Sequence, residues 1–582
     1  MAYDWVTALW ERMVTRTPVA VCSIIVVTLM LTTVLPVEGS QDYGWSPARQ
    51  IDDSSEEAMF PDLAMNENGD AVAVWRQSNG PGEGLWANEY HGGEGWGNAE
   101  LVESYETGSV SGPHVAIDRQ GNAIVIWSEW TGSTFYVWTS RYSNIGGWST
   151  PRNMTVATTG GALGGTVAFD PFGNALVTWS EYSYVYSCRY VARVGWESPQ
   201  VVANGQNNPQ SASLQFDGFG NAIAVWSSKT STTYNVWSNS YEFGSGWGSP
   251  ELLETNDSGD SFDPIVGVDD DGNAIAVWTQ GNLPYTDMSS TYHVWSSRYL
   301  AGDGWSDPQL REGNSENSSY GLTFAMFGLG DAVVAWYEHN GSAANIWTCR
   351  FLRTRGWDFP EMLDGHNDSF SHHPQLVVNN EGRAIVIWHD WNSLMSSRCT
   401  AESAWTEPET VLSDWTGGGQ TLSIGIDRFG NGLAVWFMND SLRNSVFSSS
   451  YLAPPPDIEL TSPSSDIVDV PVVVVSGVTD PYSVLLVNGI HVAVEGNGSF
   501  LTAVVLSNGT NQIVLVATDS AGRSTSLFVN VTYNDPLQSL RTKLDSAEET
   551  LLIVGIALVV TVSVACIMTV LYMSLRKKRS VP

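Results

Sequence analysis

One ten-residue motif, here called the repeat phrase, recurs along this chain. It reads DRQGNAIVIW at 118–127, DPFGNALVTW at 170–179, DGFGNAIAVW at 217–226 and DDDGNAIAVW at 269–278. The tryptophan that ends the phrase recurs every 47 to 58 residues, at positions 75, 127, 179, 226, 278, 336, 388 and 436. A period of this length is typical of arrays in which each repeat is one supersecondary unit.

Each repeat contains four short strand candidates. In the repeat 113–152 they are PHVAID, NAIVIW, YVWTSRY and the stretch that begins at Gly147 and Trp148. Alternating apolar residues, β-branched and aromatic side chains, and Gly and Asn between the segments favour strands over helices. Four strands per repeat at this period predict the blades of a β-propeller.

The order of the strand signals predicts how the ring closes. The last repeat stops after its third strand, SVFSSSY at 445–451, and a lone segment, YGWSPARQ at 43–50, precedes the first repeat. The N-terminal strand would complete the last blade, which removes exposed sheet edges. We therefore predict an all-β fold with an eight-bladed β-propeller over 41–453. Seven blades are the alternative if the divergent sixth or seventh repeat is displaced.

The Asp-x-x-Gly-Asn part of the phrase predicts a tight turn between the first and second strands. Its aspartate caps the turn and its glycine accepts the left-handed conformation. A calcium ion at Asp269, Asp270 and Asp271 is the alternative, although the ligand alternation of an EF-hand is missing. The repeat tryptophans are expected to pack between blades. The repeat register places Cys349 and Cys399 on the same face of successive blades, which argues against a disulfide between them.

A different pattern follows the linker LAPPP at 452–456. The range 454–535 reads as about seven short strands of a small β-sandwich. The pieces SGVTD at 476, VNG at 487, GSF at 498, GTNQIVLVATDSAG at 509 and VNVTY at 529 resemble the Ig-like modules of the glucodextranase B-domain type. That resemblance implies a non-catalytic spacer or surface-attachment domain. In architecture alone, the repeats resemble Trp-rich propeller arrays of archaeal and bacterial surface proteins.

Two apolar runs bracket the chain. The run at 19–35 follows Arg12 and Arg16, which predicts a signal peptide over 1–40, with an uncleaved signal anchor as the alternative. The run at 551–575 is long enough for a transmembrane helix after a stalk at 536–550. The basic tail 576–582 would stay in the cytoplasm, so that a single-pass protein of the cell membrane exposes most of its chain outside the cell. Nine sequons lie in that exterior part, at Asn153, Asn256, Asn317, Asn340, Asn367, Asn439, Asn497, Asn508 and Asn530.

The charge of the chain excludes one class of partner. The formal net charge is −36, and the chain has four lysines. Such a surface repels nucleic acid, so we expect no DNA or RNA ligand. No phosphate-binding loop, dinucleotide fingerprint or GxSxG elbow is found in the sequence.

Candidate site residues follow from the geometry of a propeller, in which the second strands of all blades end on one face. Paired carboxylates near this face can hydrolyse glycosides, and the catalytic candidates are Glu129, Glu181, Glu338 and Asp390. The candidate sugar platforms are Trp130, Tyr182, Tyr285, Trp391 and Trp415. The candidate ligands for a divalent metal are His372, His373, His389 and Glu338. A solvated acidic rim without function is the simplest alternative.

These observations together predict a membrane-anchored extracellular binding, adhesion or envelope protein. Its propeller face would bind a glycan or a surface protein. The alternative is a surface-tethered carbohydrate-active enzyme, a glycoside hydrolase or lyase, that uses the rim carboxylates.

Overall fold

The computed structural model describes residues 43–578 except for short gaps at 53–55, 79–81, 93, 105–107, 158–159, 231–232, 255–258, 284–289, 313–316, 366–369, 401–402, 414, 416–420, 440–441, 481–482, 496–497, 520–521 and 536. The chain divides into two compact units, 1–45 and 46–582. In the first unit the structure describes 43–45, with strand β1 (Gly44–Trp45). The predicted signal peptide, 1–40, lies outside the described residues.

Within the described part of the second unit, residues up to 452 form eight antiparallel sheets with the same strand order, numbered here sheet 1 to sheet 8. Their first strands are β3 (Ala58–Met65), β8 (Ser109–Ile117), β13 (Ala162–Phe169), β18 (Asn207–Phe216), β23 (Ser261–Val268), β28 (Ser318–Met326), β33 (Ser371–Val378) and β37 (Leu422–Ile426). Their second strands are β4 (Ala71–Ser78), β9 (Ala123–Trp130), β14 (Ala175–Glu181), β19 (Ala222–Thr230), β24 (Ala274–Gly281), β29 (Ala332–His339), β34 (Arg383–Asp390) and β38 (Gly432–Asn439).

The third strands follow in hairpins with the second strands. They are β5 (Glu83–His91), β10 (Phe135–Ser143), β15 (Tyr184–Val191), β20 (Thr233–Glu242), β25 (Tyr292–Leu300), β30 (Ala344–Leu352), β35 (Ser393–Thr400) and β39 (Asn444–Leu452). The outer segments are β6 (Gly95–Trp96) and β7 (Glu100–Ser104), β11 (Gly147–Trp148) and β12 (Arg152–Asn153), β16 (Gly195–Trp196) and β17 (Gln200–Ala203), β21 (Gly246–Trp247) and β22 (Glu251–Leu252), β26 (Gly304–Trp305) and β27 (Gln309–Leu310), β31 (Gly356–Trp357) and β32 (Glu361–Met362), and β36 (Glu409–Leu412). In sheet 8 this outer place is taken by β2 (Arg49–Gln50), which pairs with β39.

The eight first strands surround a central channel. Its cavity is lined by residues from all eight of them, among them Ala64, Val115, Val167, Gln215, Val266, Phe324, Leu376 and Ile424. Sheet 8 meets sheet 1 directly, because the Leu63 amide donates to Ser423 Oγ at 3.1 Å and the Arg428 amide donates to the Glu67 carbonyl at 3.1 Å. The sheets therefore form a closed ring, and the pairing of β2 with β39 completes the last sheet as the strand order predicted.

The repeat tryptophans form the centre of the packing between sheets. Trp127 of sheet 2, for example, lies in one apolar cluster with Val72 and Val74 of sheet 1. Burying a side chain of this size stabilises the fold by about 4–6 kcal/mol relative to exposure. Cys349 and Cys399 are buried free thiols. The fully buried tryptophans are Trp75, Trp127, Trp179, Trp226, Trp278, Trp336, Trp388 and Trp436.

The repeated Asp-x-x-Gly-Asn segment is a turn, as predicted. Asp118 Oδ1 accepts the amides of Gln120 and Asn122 at 2.9 and 2.8 Å, and Asn122 Nδ2 donates to Asp118 Oδ2 at 2.8 Å. Gly121 between them has φ +79°. The same bonds recur at Asp269, whose oxygens therefore serve the turn rather than an ion. No group of three or more His, Cys, Asp or Glu side chains that could hold a metal ion is found in the described residues.

Two further sheets follow the ring. One contains β40 (Ile458–Ser462), β42 (Val472–Thr479) and β45 (Ser499–Val505), and the other contains β41 (Ile467–Val468), β43 (Val484–Val487), β44 (Ile490–Val492), β46 (Gly509–Thr518) and β47 (Ser524–Tyr533). Residues of both sheets share one core that includes Val475, Phe500, Leu515 and Val531. This is a β-sandwich, and the all-β prediction is confirmed.

One helix, α1 (Gln538–Lys578), follows the sandwich. It covers the range 551–575 in which the sequence predicts a transmembrane helix. No helix has both the length and the apolar character that a bilayer span requires, as far as the chain is described. The transmembrane part of the prediction is therefore not supported by the structure.

Candidate ligand-binding site

Each sheet presents the same end to one face of the ring, here called the top face, where its first strand begins and its second strand ends. At this end seven first strands contain a β-bulge whose central residue has φ between +50° and +63°: Phe60, Gly112, Gly164, Asn208, Asp263, Gly321 and His373. Five of these residues precede a proline, which cannot donate a ladder hydrogen bond. A bulge bends its strand and redirects the neighbouring side chains.

Aromatic and imidazole rings line part of the top face in an unbroken series, here called the ring arc. Neighbouring ring centroids along the arc are 4.6 to 6.4 Å apart, the separation of packed aromatic pairs. The arc extends from sheet 4 to the segment that joins sheets 7 and 8, and its members are Tyr234, Phe262, Tyr292, Tyr320, Tyr337, His372, His373, His389 and Trp415.

A groove of about 520 Å³ opens over the first half of the ring arc. Tyr234 is fixed at one wall, because its hydroxyl accepts hydrogen bonds from Asn208 Nδ2 at 2.6 Å and Gln210 Nε2 at 3.3 Å. The Lys229 ammonium lies 4.9 Å from the centre of the Tyr234 ring. Tyr320, on the other side, is 38% exposed. The groove therefore offers ring faces, polar side chains and one cation.

Three histidines pack together in the second half of the ring arc. Burial lowers the pKa of His389 to about 3, and His372 and His373 contribute in the same direction. The pKa of His373 is also lowered, by burial and then by His372. His389 Nε2 is buried and has no hydrogen-bond partner among the described residues. His389 is therefore uncharged above about pH 4.

This histidine cluster does not have the geometry of the predicted metal site. The imidazoles of His372 and His373 pack ring to ring with a centroid distance of 5.0 Å. Glu338 follows Tyr337 on the strand and points to the opposite face, where its Oε1 accepts Asn317 Nδ2 at 2.5 Å. In the part of the chain that the structure describes, these residues do not form a metal-binding group.

A second pocket of about 460 Å³ opens where the channel meets the top face, between sheets 8, 1 and 2. There Asp62 Oδ1 accepts the Ser423 hydroxyl at 3.1 Å, and Asp62 Oδ2 lies 3.5 Å from His114 Nδ1. The surrounding protein lowers the pKa of His114, but the hydrogen bond and the charge of Asp62 outweigh this effect and raise it above its ordinary value. The channel still admits solvent to His114, whose side chain is 56% exposed.

The acidic candidates lie in their own sheets rather than on an open rim. Glu181 is 2% exposed and accepts the amides of Val156 and Ala157 at 2.9 and 2.5 Å. It also accepts a hydrogen bond from the indole N–H of Trp179 at 3.3 Å. Glu181 therefore supplies the acceptor that the buried indole of this repeat tryptophan needs. Glu129 is half-buried, accepts Trp138 Nε1 at 2.8 Å, and has a pKa raised by burial.

Asp390 is also half-buried, between the ladder positions of Ser371 and Ser393.

The aromatic candidates differ in their exposure. Trp391 is 62% exposed and packs on Phe370 with a centroid distance of 4.5 Å, and Tyr182 is 57% exposed. Trp130 is half-buried, and Trp415 is 7% exposed because it closes the ring arc against His389. Tyr285 and the sequons at 256, 367 and 497 lie outside the described residues.

The sequence interpretation overlooked most of the ring arc. It named His372, His373, His389 and Trp415 but none of the other five members, of which Phe262 and Tyr320 lie at the start of first strands. A signal was present, since an aromatic or imidazole residue occupies this place in sheets 5, 6 and 7, next to the bulge. Tyr337, in contrast, is one position after a repeat tryptophan, and nothing in its spacing distinguishes it from core residues.

Comparison with known proteins gives one family match. Residues 456–534 match the model of "Glucodextranase, domain B", which is the module to which the sequence of the sandwich bears a resemblance. The match does not extend into the repeats. No curated protein sequence matches the chain.

Solved structures with similar architecture include carbohydrate-active enzymes. A polysaccharide lyase has 9% identity over 70% of this chain and 99% of its own, with a TM-score of 0.43. An ulvan lyase of polysaccharide lyase family PL25 has 11% identity over 70% and 96%, with a TM-score of 0.42. An α-L-arabinanase from Penicillium chrysogenum has 11% identity over 51% and 94%, with a TM-score of 0.33. Nothing about activity or site residues follows from values this low.

Proposed function

We propose that residues 46–453 form an eight-bladed β-propeller that binds a glycan on its top face. The observation that carries this proposal is the ring arc, with its groove of about 520 Å³. The faces of sugar rings present C–H groups that stack on aromatic rings, and their hydroxyls need polar partners. A concave surface with apolar walls and a few polar groups meets both needs.

We also propose that the propeller is displayed outside the cell on the Ig-like module. The apolar stretch 551–575 and the basic residues at 576–579 support an anchor at the C-terminal end. Described sequons on the exterior part, such as exposed Asn153, would then be open to glycosylation. Protease protection of the C-terminal tail in membrane vesicles tests this orientation, and a shift in gel mobility after deglycosylation tests the sequons. A tail that protease removes from outside, or equal mobility before and after deglycosylation, would count against the respective part.

The test of glycan binding is a glycan array probed with the full-length protein. Trp391→Ala and Tyr320→Ala should each weaken the strongest interaction about tenfold, because each removes an exposed ring of the top face. Phe359→Ala is the matched control, since Phe359 is 95% exposed between β31 and β32 at the outer edge of sheet 6. An array without signal, or equal effects of all three substitutions, would refute the proposal.

The alternative is a tethered carbohydrate-active enzyme, and one observation favours a specific pair of catalytic residues for it. Asp62 orients His114 in the pocket at the channel mouth, which is the arrangement of a general acid–base pair. Glu129 and Glu338 are two of the four carboxylates that the sequence predicts as catalytic candidates, and both are engaged in hydrogen bonds within their sheets.

Turnover of the array's best oligosaccharide distinguishes these candidates. If the protein is an enzyme, His114→Gln should abolish turnover and leave binding at the ring arc unchanged. Glu129→Gln and Glu338→Gln would be expected to reduce turnover only through stability. Absence of turnover by the unaltered protein would leave binding as the function.

A further inference from the structure

Lys229 occupies a singular place in this chain. It is the only lysine between residues 46 and 453, in a protein with 26 basic and 62 acidic residues. In three other sheets the corresponding position at the end of the second strand is Ser78, Gly281 or His339. The fold therefore does not require a lysine at this position. Lys229 is the one lysine that lines a described pocket of the top face, while the pocket at the channel mouth contains an arginine, Arg76.

The surroundings of the lysine hold it in the groove without neutralising it. It pairs with Asn207 and Tyr234 across the sheet, and its ammonium lies over the Tyr234 ring. Within the described residues no carboxylate lies within ion-pair distance of Lys229, although Asp263 lines the same groove. An ammonium of this kind on an otherwise acidic protein is available to an anion from outside.

Building on the proposed glycan-binding function, we infer that the ligand of this groove is an acidic sugar. Its carboxylate or sulfate group binds the Lys229 ammonium. Its ring stacks on the exposed face of Tyr320 and on Tyr292, and its hydroxyls bind Gln210 and Asp263. Together these four side chains offer a sugar both stacking surfaces and hydrogen-bond partners on the walls of one groove.

Calorimetry with the full-length protein and three probes tests this inference. The probes are tetragalacturonate, which carries carboxylates, the neutral tetramer of galactose, and a sulfated carrageenan tetrasaccharide. We expect an acidic probe to bind about tenfold more tightly than the neutral one in low salt and to lose this advantage as salt rises. The better of the two acidic probes identifies the anionic group.

Lysine variants connect the preference to the groove. Lys229→Met keeps the aliphatic stem and should bring acidic and neutral probes to equal affinity, whereas Lys229→Arg should retain the preference. Lys543→Met, on the exposed surface of α1, is the control and should change nothing. Equal binding of acidic and neutral probes by the unaltered protein, with sensitivity to Tyr320→Ala, would overturn this inference alone. Binding of none of the probes would count against the proposed function itself.

Discussion

At the scale of single residues, one aspartate organises the turn between the first and second strands in five of the eight sheets. Asp269 is buried, and its two oxygens accept the Asp271 amide at 3.0 Å, the Asn273 amide at 2.7 Å and Asn273 Nδ2 at 2.9 Å. Asp271, two residues away in the same turn, is exposed. The same run of three aspartates therefore contains one buried structural carboxylate and two exposed ones, Asp270 and Asp271.

We predict that Asp269→Ala destabilises the protein by about 2 kcal/mol, because three donors lose their acceptor in a buried turn. Asp271→Ala should change the free energy of unfolding by less than about 0.5 kcal/mol. Urea denaturation of the two variants measures the difference. Addition of calcium or of a chelator should leave both curves in place, and a calcium-dependent shift that Asp269→Ala abolishes would restore the ion-binding alternative.

Protonation of His389 opposes folding, because its imidazole is buried beside two other histidines. Its pKa in the folded protein is lowered to about 3 by burial and by the neighbouring His372 and His373. In the unfolded chain the group has an ordinary pKa of about 6.5. Between these two values the unfolded state binds more protons, so the stability falls as the pH falls through this window.

The prediction is that His389→Gln flattens the pH dependence of stability. Between pH 7 and pH 4.5 the unaltered protein should lose about 2–3 kcal/mol more than the variant does. Urea denaturation at both pH values gives the comparison, and His491→Gln in the sandwich, where the side chain is exposed, is the control. Equal pH slopes for the unaltered protein and His389→Gln would show that the cluster is hydrated or already charged.

At the scale of elements, the bulges in the first strands shape the top face. Gly112 and Gly321 take the same place in sheets 2 and 6, with φ of +53° and +60°. A Cβ at Gly112 would have open space around it, whereas a Cβ at Gly321 would lie 2.7 Å from the Tyr337 ring. A substitution at Gly112 therefore tests the backbone conformation of the bulge alone. A substitution at Gly321 tests both that conformation and the contact with the ring arc.

Gly112→Ala should lower the free energy of unfolding by about 1 kcal/mol, because alanine is strained in the left-handed conformation, and should leave glycan binding unchanged. Gly321→Ala should cost more and also weaken binding, since the Tyr337 ring has to move out of the arc. Thermal unfolding and affinity for the best array ligand check both effects. If the two variants bind equally well, Tyr337 does not contribute to the site.

How far the sequence predicts these elements depends on whether a signal repeats. The repeat pattern predicts the turns at Asp118 and Asp269, the buried Trp127 and the strand that closes sheet 8. They were predictable because the same residues recur at the same places in several repeats. Five of the nine members of the ring arc were not, since the arc is assembled from first, second and third strands of different sheets.

The acidic residues at the ends of the second strands were interpreted as rim residues, although some of them are buried. Glu181 has the polarity of a surface residue, but its role is to accept the buried indole N–H of Trp179 and two loop amides. Sequence polarity does not distinguish a solvated carboxylate from a buried one with donors. Only the register of the folded sheet places the side chain.

At the scale of the whole second unit, Arg523 makes most of the described polar contacts between the sandwich and the ring. Arg523 lies next to buried Asp519, whose Oδ2 is 2.7 Å from Arg523 Nε. Its guanidinium donates to Asn431 Oδ1 at 3.0 Å, to the Ala453 carbonyl at 2.5 Å and to the Phe429 carbonyl at 2.9 Å. The turn that receives it joins β37 and β38, at the end of sheet 8 opposite the top face, so the ring arc stays uncovered by the sandwich.

We predict that Arg523→Met separates the unfolding of ring and sandwich. The substitution leaves Asp519 buried without its cation and removes all three bonds to the last turn and the linker, which costs about 3 kcal/mol or more at the junction. The unaltered protein should unfold in one calorimetric transition and the variant in two, with faster proteolysis within the linker 452–456. Arg193→Met, at an exposed hairpin of sheet 3, is the control and should behave like the unaltered protein. A single transition in Arg523→Met would mean that the remaining ion pair of Arg383 with Asp480, at 3.6 Å, is enough to keep the sandwich coupled to the ring.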